Sequence, residues 1–204
     1  MSTVFTKLYD STAMTRPVAA NVIPTQDSTG SQPNTIRHDQ LLAMTGRYRF
    51  CTLSGNLGAL SSLGTDTAGI NGTIWFADVF IPAVVTLTGI GVLNGGTVAT
   101  DKIITALYDS SGVLLANSAL AGTNMASTNV FQETAFTATY TTLRPGRFWI
   151  ACQTNGANAN IRTIATATWI DVLTNNVAGT FATLPALTPA TTFTAGKGPV
   201  AYAY

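Results

Sequence analysis

Six acidic residues in the apolar part of the sequence could supply general acid and base chemistry: Asp66, Asp78, Asp101, Asp109, Glu133 and Asp171. Two carboxylates held about 5 Å or about 6.5 to 9.5 Å apart hydrolyse glycosidic bonds. Only Asp78 and Glu133 lie within predicted strands, where burial can shift a pKa. An ion pair with Arg147 or Arg162 is the simpler explanation of a carboxylate there. A hydrolase that uses Asp78 or Glu133 is therefore our third hypothesis.

Metal and nucleophile sites have few candidate residues. The single histidine, His38, has no second histidine or cysteine near it, so its spacing fits neither a zinc site nor a Ser-His-Asp set. Calcium needs several oxygen ligands, and Asp101 with Asn94 and Thr100 offers one charge. Gly89-Ile90-Gly91 lies inside a predicted strand, where glycines mark close approach rather than a phosphate cradle. We predict no catalytic residue, no metal and no cofactor.

Four large aromatic residues could form flat platforms for sugar rings. Trp75 and Trp149 lie within apolar strands and are predicted to be buried. Tyr108 and Trp169 stand near strand ends and are candidate glycan contacts. They support an alternative function, a carbohydrate-binding or adhesion module of a phage or bacterial surface protein.

Ionic side chains are scarce. Only 9% of the 204 residues are charged, with a net charge of +1, whereas soluble domains carry roughly 25%. This balance argues against a nucleic-acid binder that relies on counterion release and against a basic membrane-binding face. A surface of hydroxyls and amides is poorly protected against association, so we expect a chain that belongs in an assembly.

Targeting signals and disulfides are not expected. The first ten residues lack the apolar core of a secretory signal. The most apolar stretch, from Ile74 to Val85, contains Asp78 and Pro82, whereas about 18 uncharged residues are needed to cross a bilayer. Cys51 and Cys152 lie in strand-like runs beside aromatic residues, which favours free thiols in a reducing cytoplasm.

Alternating apolar residues and explicit turns organise the middle of the chain. Seven or eight short strands separated by turns predict an all-β fold, an antiparallel β-sandwich of jelly-roll type, over residues 47–172. The turn Asp109-Ser110-Ser111-Gly112 needs a positive φ at glycine, and Pro145-Gly146 has the order of a type II turn. The strand from Thr73 to Ile81 is apolar on both faces, so an arm, a loop or another subunit must cover its second face.

Polar segments flank the predicted sandwich. Residues 1–46 contain three prolines and small separated apolar groups, which predict an extended N-terminal arm. Residues 173–204 are rich in Thr, Ala and Pro and end in alternating tyrosines, which predict a C-terminal strap ending in a docked edge strand. The candidate assembly contacts are the apolar residues of these two segments: Val4, Phe5, Leu8, Tyr9, Val22, Ile23, Tyr202 and Tyr204.

Five stretches carry a family resemblance: Trp75 to Pro82, Thr86 to Ile90, Ala106 to Gly112, Leu143 to Ile150 and Phe193 to Pro199. Together they resemble the β-sandwich structural proteins of tailed bacteriophages that decorate capsids or form head and tail appendages. The resemblance covers roughly two thirds of the chain. It implies an assembly role without catalytic residues.

These observations lead to one expectation for function. We expect a virion structural protein, assembled in the host cytoplasm, that decorates and stabilises a capsid through one or both termini. Its partners would be the major capsid protein or other virion proteins and further copies of itself, with a trimer as one arrangement. No nucleic acid and no membrane is expected among them.

Overall fold

The computed structural model describes residues 50–52, 63–165 and 172–204, together with the backbone of residues 22–26 and 33–37. The chain divides into two compact units, residues 1–48 and residues 49–204. In the N-terminal unit, β1 (Val22–Gln26) and β2 (Pro33–Arg37) form an antiparallel hairpin with Ile23 opposite Ile36. Two short parts of the segment predicted to be an extended arm, residues 1–46, are thus paired strands, and the rest of that segment lies outside the described residues.

The second unit is built from β-strands, and its described part contains no helix. The strands are β3 (Phe50–Cys51), β4 (Thr65–Ala68), β5 (Ile74–Ile81), β6 (Thr86–Leu93), β7 (Lys102–Tyr108), β8 (Leu114–Asn117), β9 (Thr123–Asn124), β10 (Phe131–Thr141), β11 (Gly146–Thr154), β12 (Asn160–Thr163), β13 (Thr174–Val177) and β14 (Ala201–Ala203). One sheet has the order β10-β6-β14-β3, a second has the order β13-β5-β11-β7-β8 with β9 also paired to β7, and β12 pairs with β4. All these strand pairs are antiparallel, which confirms the predicted all-β, antiparallel fold class.

The two larger sheets share one apolar core. Side chains from β5, β7 and β11 of one sheet pack with side chains from β6, β10 and β14 of the other. Trp75, Ile90, Leu107 and Ile150 are among its fully or almost fully buried members. We refer to residues 49–204 as the two-sheet domain.

The second face of β5 and its neighbours is covered by the chain itself. Ile74, Phe76 and Trp149 point away from the shared core and pack with Leu187 and Ala190. The sequence required a cover but left its source open among an arm, a loop and another subunit, and the structure assigns it to the C-terminal residues. We call residues 178–190 the covering segment.

A buried glutamine, Gln153, anchors the covering segment. Its Nε2 donates to the carbonyl oxygens of Gly72 and Thr180 at 2.8 and 3.0 Å, and its Oε1 accepts from the Ala182 N–H at 3.0 Å. Its side chain is fully inaccessible to solvent. Because the Gln153 amide is itself shielded from water, these bonds supply its own partners, and they join the loop of Gly72 to the covering segment.

The last strand, β14, lies inside its sheet. Tyr202 is in register with Gly91 of β6 on one side and with Cys51 of β3 on the other. The prediction of a docked strand is confirmed, but its place at a sheet edge is wrong. The glycines of β6 explain the fit, because a Cβ at Gly91 would collide with the Tyr202 ring and one at Gly89 with the Tyr204 ring.

The two predicted glycine turns have different outcomes. Gly112 has a φ of +87°, which confirms the positive φ predicted for this turn. Gly146 has no positive φ, so the predicted type II turn is wrong. The reason is that Gly146 already belongs to β11, where it pairs with Ile81 of β5.

Candidate functional site

The two strand carboxylates have structural partners. Asp78 Oδ2 lies 3.0 Å from Arg147 Nε, the ion pair that the sequence favoured, and its Oδ1 accepts from the Leu173 N–H at 2.6 Å. Glu133 Oε1 accepts from the Tyr202 hydroxyl at 2.8 Å. Both side chains therefore hold neighbouring strands and loops in place.

Asp101 fixes the loop that follows β11. Its Oδ2 accepts from the backbone N–H groups of Asn158 and Ala159 at 2.7 and 2.9 Å. Burial by itself would raise the pKa of Asp101, but these bonds and one from the Asn158 side chain outweigh it and lower the pKa below its usual value of 3.8. Its candidate companion Asn94 instead donates to the Ala126 carbonyl and to Gln132. No three His, Cys, Asp or Glu residues cluster for a metal within the described ranges.

We expect Asp101 to make the stability of the two-sheet domain depend on pH in the acidic range. The pKa of Asp101 is lower in the folded state than in the unfolded state. Its contribution to the free energy of unfolding is therefore complete above about pH 4, and it is lost as the pH falls through the folded-state pKa. Asp101→Asn should lower the melting temperature at pH 7 and flatten its decline between about pH 5 and pH 2. Thermal unfolding across that range measures both effects. A pH profile parallel to that of the wild type would contradict this assignment.

The three described residues among the four candidate sugar platforms are all buried. Tyr108 is fully buried, and burial raises its pKa, so its proposed role as a surface glycan contact is wrong. Its ring lies on the face of β7 that the C-terminal residues cover, which a strand-end position in the sequence does not reveal. Trp75 and Trp149 are buried, as predicted. Trp169 lies outside the described residues.

Both cysteines are free thiols, as predicted. Cys152 is buried in the shared core, where burial raises its pKa to about 12. A thiol with so high a pKa is almost entirely protonated at neutral pH and acts as a small apolar side chain.

The candidate assembly contacts fall into three groups. Val4, Phe5, Leu8 and Tyr9 lie outside the described residues, and Val22 and Ile23 begin β1. Tyr202 is buried and packs against Phe131, so its side chain is not available to a neighbouring subunit. Tyr204 is half-buried, and its carbonyl oxygen accepts from the Thr88 N–H at 2.6 Å. The C-terminal tyrosines therefore complete their own domain.

One cleft lies where two hairpin turns of the domain meet. It has a volume of about 430 Å³ and lies between residues 109–115, around the β7–β8 turn, and residues 140–148, around the β10–β11 turn. We call it the two-turn cleft. Its polar lining includes Asp109, Ser110 and Arg144, and its apolar lining includes Leu115 and Phe148.

Hydrogen bonds within the β7–β8 turn, and between the β10–β11 turn and the β5–β6 loop, hold the walls of the two-turn cleft. Asp109 Oδ1 accepts from the N–H groups of Ser111 and Val113 at 2.8 and 2.9 Å. On the other wall, the Thr142 N–H donates to the Val85 carbonyl at 2.9 Å, and Thr142 Oγ1 accepts from the Val85 N–H at 2.9 Å. The walls are thus set before any ligand arrives.

Exposed apolar side chains surround the same end of the domain. Leu143 is 85% exposed at the tip of the β10–β11 turn, and the Thr142 bonds place it beside the loop that carries Val84, which is 61% exposed. Phe80, 64% exposed, is in register with Arg147 of β11. Sequence reasoning identified both turns but missed the cleft, because residues about 30 positions apart form it only once the strands have paired.

Comparisons with known proteins identify no relative of this chain. No protein-family model, no curated protein and no solved structure matches this chain. In the described part of the chain, no helix has the length and apolarity needed to cross a membrane.

Proposed function

We propose that this chain is a non-enzymatic structural protein of a virion, a capsid decoration or cement protein that attaches to the shell through its N-terminal unit. The proposal includes a jelly-roll arrangement of the β-sandwich, contact with the major capsid protein or other virion proteins, and association with further copies of the chain, for example as a trimer. Assembly takes place in the host cytoplasm.

The N-terminal hairpin is the observation that carries this proposal. It belongs to a compact unit of its own, and its two strands have five residues each. A two-stranded hairpin of that size is marginally stable in water unless a further surface covers one face. In the proposal, the shell supplies that surface, and one of Val22 and Ile23, which lie on opposite faces of β1, contacts it.

Two further features support attachment through this end. Leu187 and Ala190 of the covering segment and Tyr202 of β14 are buried in their own domain, which favours the N-terminal unit over the C-terminal residues as the anchor. The low content of charged residues suits extended protein contacts, because interface cores are depleted in ionic side chains. Asp78, Asp101 and Glu133 each have a structural partner, which favours a non-enzymatic protein.

A binding assay with particles assembled from the shell protein alone tests the proposal. The full chain should bind them and raise the temperature at which they dissociate. Val22→Asp combined with Ile23→Asp should reduce the bound copies more than tenfold, because a charge in an apolar contact is left without a partner. The control is Val177→Asp, an exposed valine on β13 of the two-sheet domain, which should bind like the wild type. Equal binding by both variants would contradict attachment through the hairpin.

A further inference from the structure

We propose that the two-turn cleft binds a neutral saccharide. The cleft lies wholly within the two-sheet domain, so this activity does not depend on attachment to a shell. Its volume of about 430 Å³ falls in the usual range for small-molecule sites. Its polar and apolar groups, its charge balance and its rigidity each point to the same class of ligand.

The charges around the cleft cancel. Arg147 is paired with Asp78 at 3.0 Å. Arg144 and Asp109 then leave one positive and one negative group in the lining. The bonds from Ser111 and Val113 lower the pKa of Asp109 despite the opposing effect of burial, so its carboxylate is ionised at neutral pH. A site with balanced charges gives no net attraction to a phosphate, a carboxylate or a cation, and it favours a ligand without net charge.

The hydrogen-bonding groups suit a polyhydroxylated ligand. The Arg144 guanidinium supplies several donors in a plane, the Asp109 carboxylate is an acceptor, and the Ser110 and Tyr140 hydroxyls can do both. A sugar hydroxyl also donates and accepts at one atom, so neighbouring hydroxyls can engage an arginine and an aspartate together.

The apolar part of the lining suits the ring of a sugar. Pyranose rings present C–H groups on their faces, and aromatic or aliphatic side chains pack against such surfaces. The lining includes Tyr140 and Leu115, which are half-buried, and Phe148, which is 7% exposed. The cleft thus has an apolar wall for the ring and polar groups for the hydroxyls.

The rigidity of the turns lowers the cost of binding. Asp109 and Thr142 are both held by hydrogen bonds to backbone groups of their own or a neighbouring turn. A ligand therefore meets turns whose backbone is already ordered, and the cost of binding is confined to exposed side chains such as Arg144. The site lies one residue beyond Tyr108, the aromatic residue that the sequence suggested.

Titration of the isotope-labelled full chain followed by nuclear magnetic resonance tests the inference. The neutral probes are lactose, maltose, cellobiose and chitobiose, and the charged probes are N-acetylneuraminic acid, glucosamine and inorganic phosphate. At least one neutral probe should give saturable shifts confined to residues 109–115 and 140–148. Arg144→Ala, at an exposed position that should not disturb folding, and Tyr140→Phe, which removes only the hydroxyl, should each weaken that binding, the first by about tenfold.

Leu120→Ala provides the matched control, because Leu120 is an exposed apolar residue between β8 and β9 that does not line the cleft. It should bind the same saccharide with unchanged affinity. The inference is overturned if no neutral probe saturates, if only a charged probe binds, or if Arg144→Ala and Leu120→Ala bind equally well.

Discussion

Gln153→Ala should lower the free energy of unfolding of the two-sheet domain by about 4 kcal/mol, because it leaves a cavity at a fully buried side chain and removes several hydrogen bonds together. The substitution leaves the carbonyl groups of Gly72 and Thr180 and the N–H group of Ala182 without the side chain that bonds them. For a domain of this size, the expected fall in melting temperature is about 10 °C. Differential scanning calorimetry measures it.

Gln132→Ala provides the matched control. Gln132 also makes hydrogen bonds through both ends of its amide, accepting from Asn94 Nδ2 and the Ala126 N–H and donating to the Asn124 carbonyl. It is half-buried, so water replaces the lost partners, and we expect a loss of about 1 kcal/mol. Faster hydrogen exchange in residues 178–190 should accompany Gln153→Ala alone. Equal losses for the two variants would rule out Gln153 as the anchor of the covering segment.

Gly112→Ala is expected to cost about 3 kcal/mol through two effects that act at one position. Gly112 has a φ of +87°, and an alanine in the left-handed region costs about 1 to 2 kcal/mol. An added Cβ would also collide with the carbonyl oxygen of Leu187, whose N–H donates to the Gly112 carbonyl at 2.8 Å. The covering segment must therefore move, and that hydrogen bond weakens or breaks. Chemical denaturation measures the loss.

Gly146→Ala is the matched control, at a glycine that begins β11 next to the β10–β11 turn. The nearest heavy atom to a Cβ at Gly146 is a ring carbon of Phe148 at 3.9 Å, and Gly146 has no positive φ. Alanine there restricts the unfolded chain without a collision, so stability should stay unchanged or rise by up to about 1 kcal/mol. If Gly112→Ala proved no more harmful than Gly146→Ala, the covering segment would not be packed against this turn.

The sequence predicts the strands and the buried tryptophans well, because strand periodicity determines which side chains share a face. It does not determine what lies over that face. The apolar residues Ile74 and Phe76 require a cover, but a segment rich in Thr, Ala and Pro carries no signal that marks it as the cover. The fate of Tyr108 follows from this, since the covered face of the sheet buries its ring.

The N-terminal hairpin and the two-turn cleft lie beyond sequence reasoning for different reasons. Pro24 and Pro33 argue against strands, yet Pro33 opens β2, and a two-stranded hairpin has outer edges where a missing N–H does no harm. The cleft depends on tertiary structure, because Asp109 and Arg144 come together only through the pairing of β11 with β7. The side-chain types predict each turn separately, but only the strand topology brings the two turns together to form the cleft.

The inner position of β14 has a consequence for how the protein is made. The Ala201 N–H donates to Thr52 Oγ1 at 3.1 Å, across a sequence separation of 149 residues. Closing so long a loop is slow, because the chain loses conformational entropy before the contacts between its distant residues form and stabilise the sheet. During translation, β3 and β6 must wait unpaired on their inner edges until residue 203 has left the ribosome. This sheet is therefore completed long after β3 and β6 have been synthesised, and chaperones that shield open strand edges would meet the nascent chain during that interval.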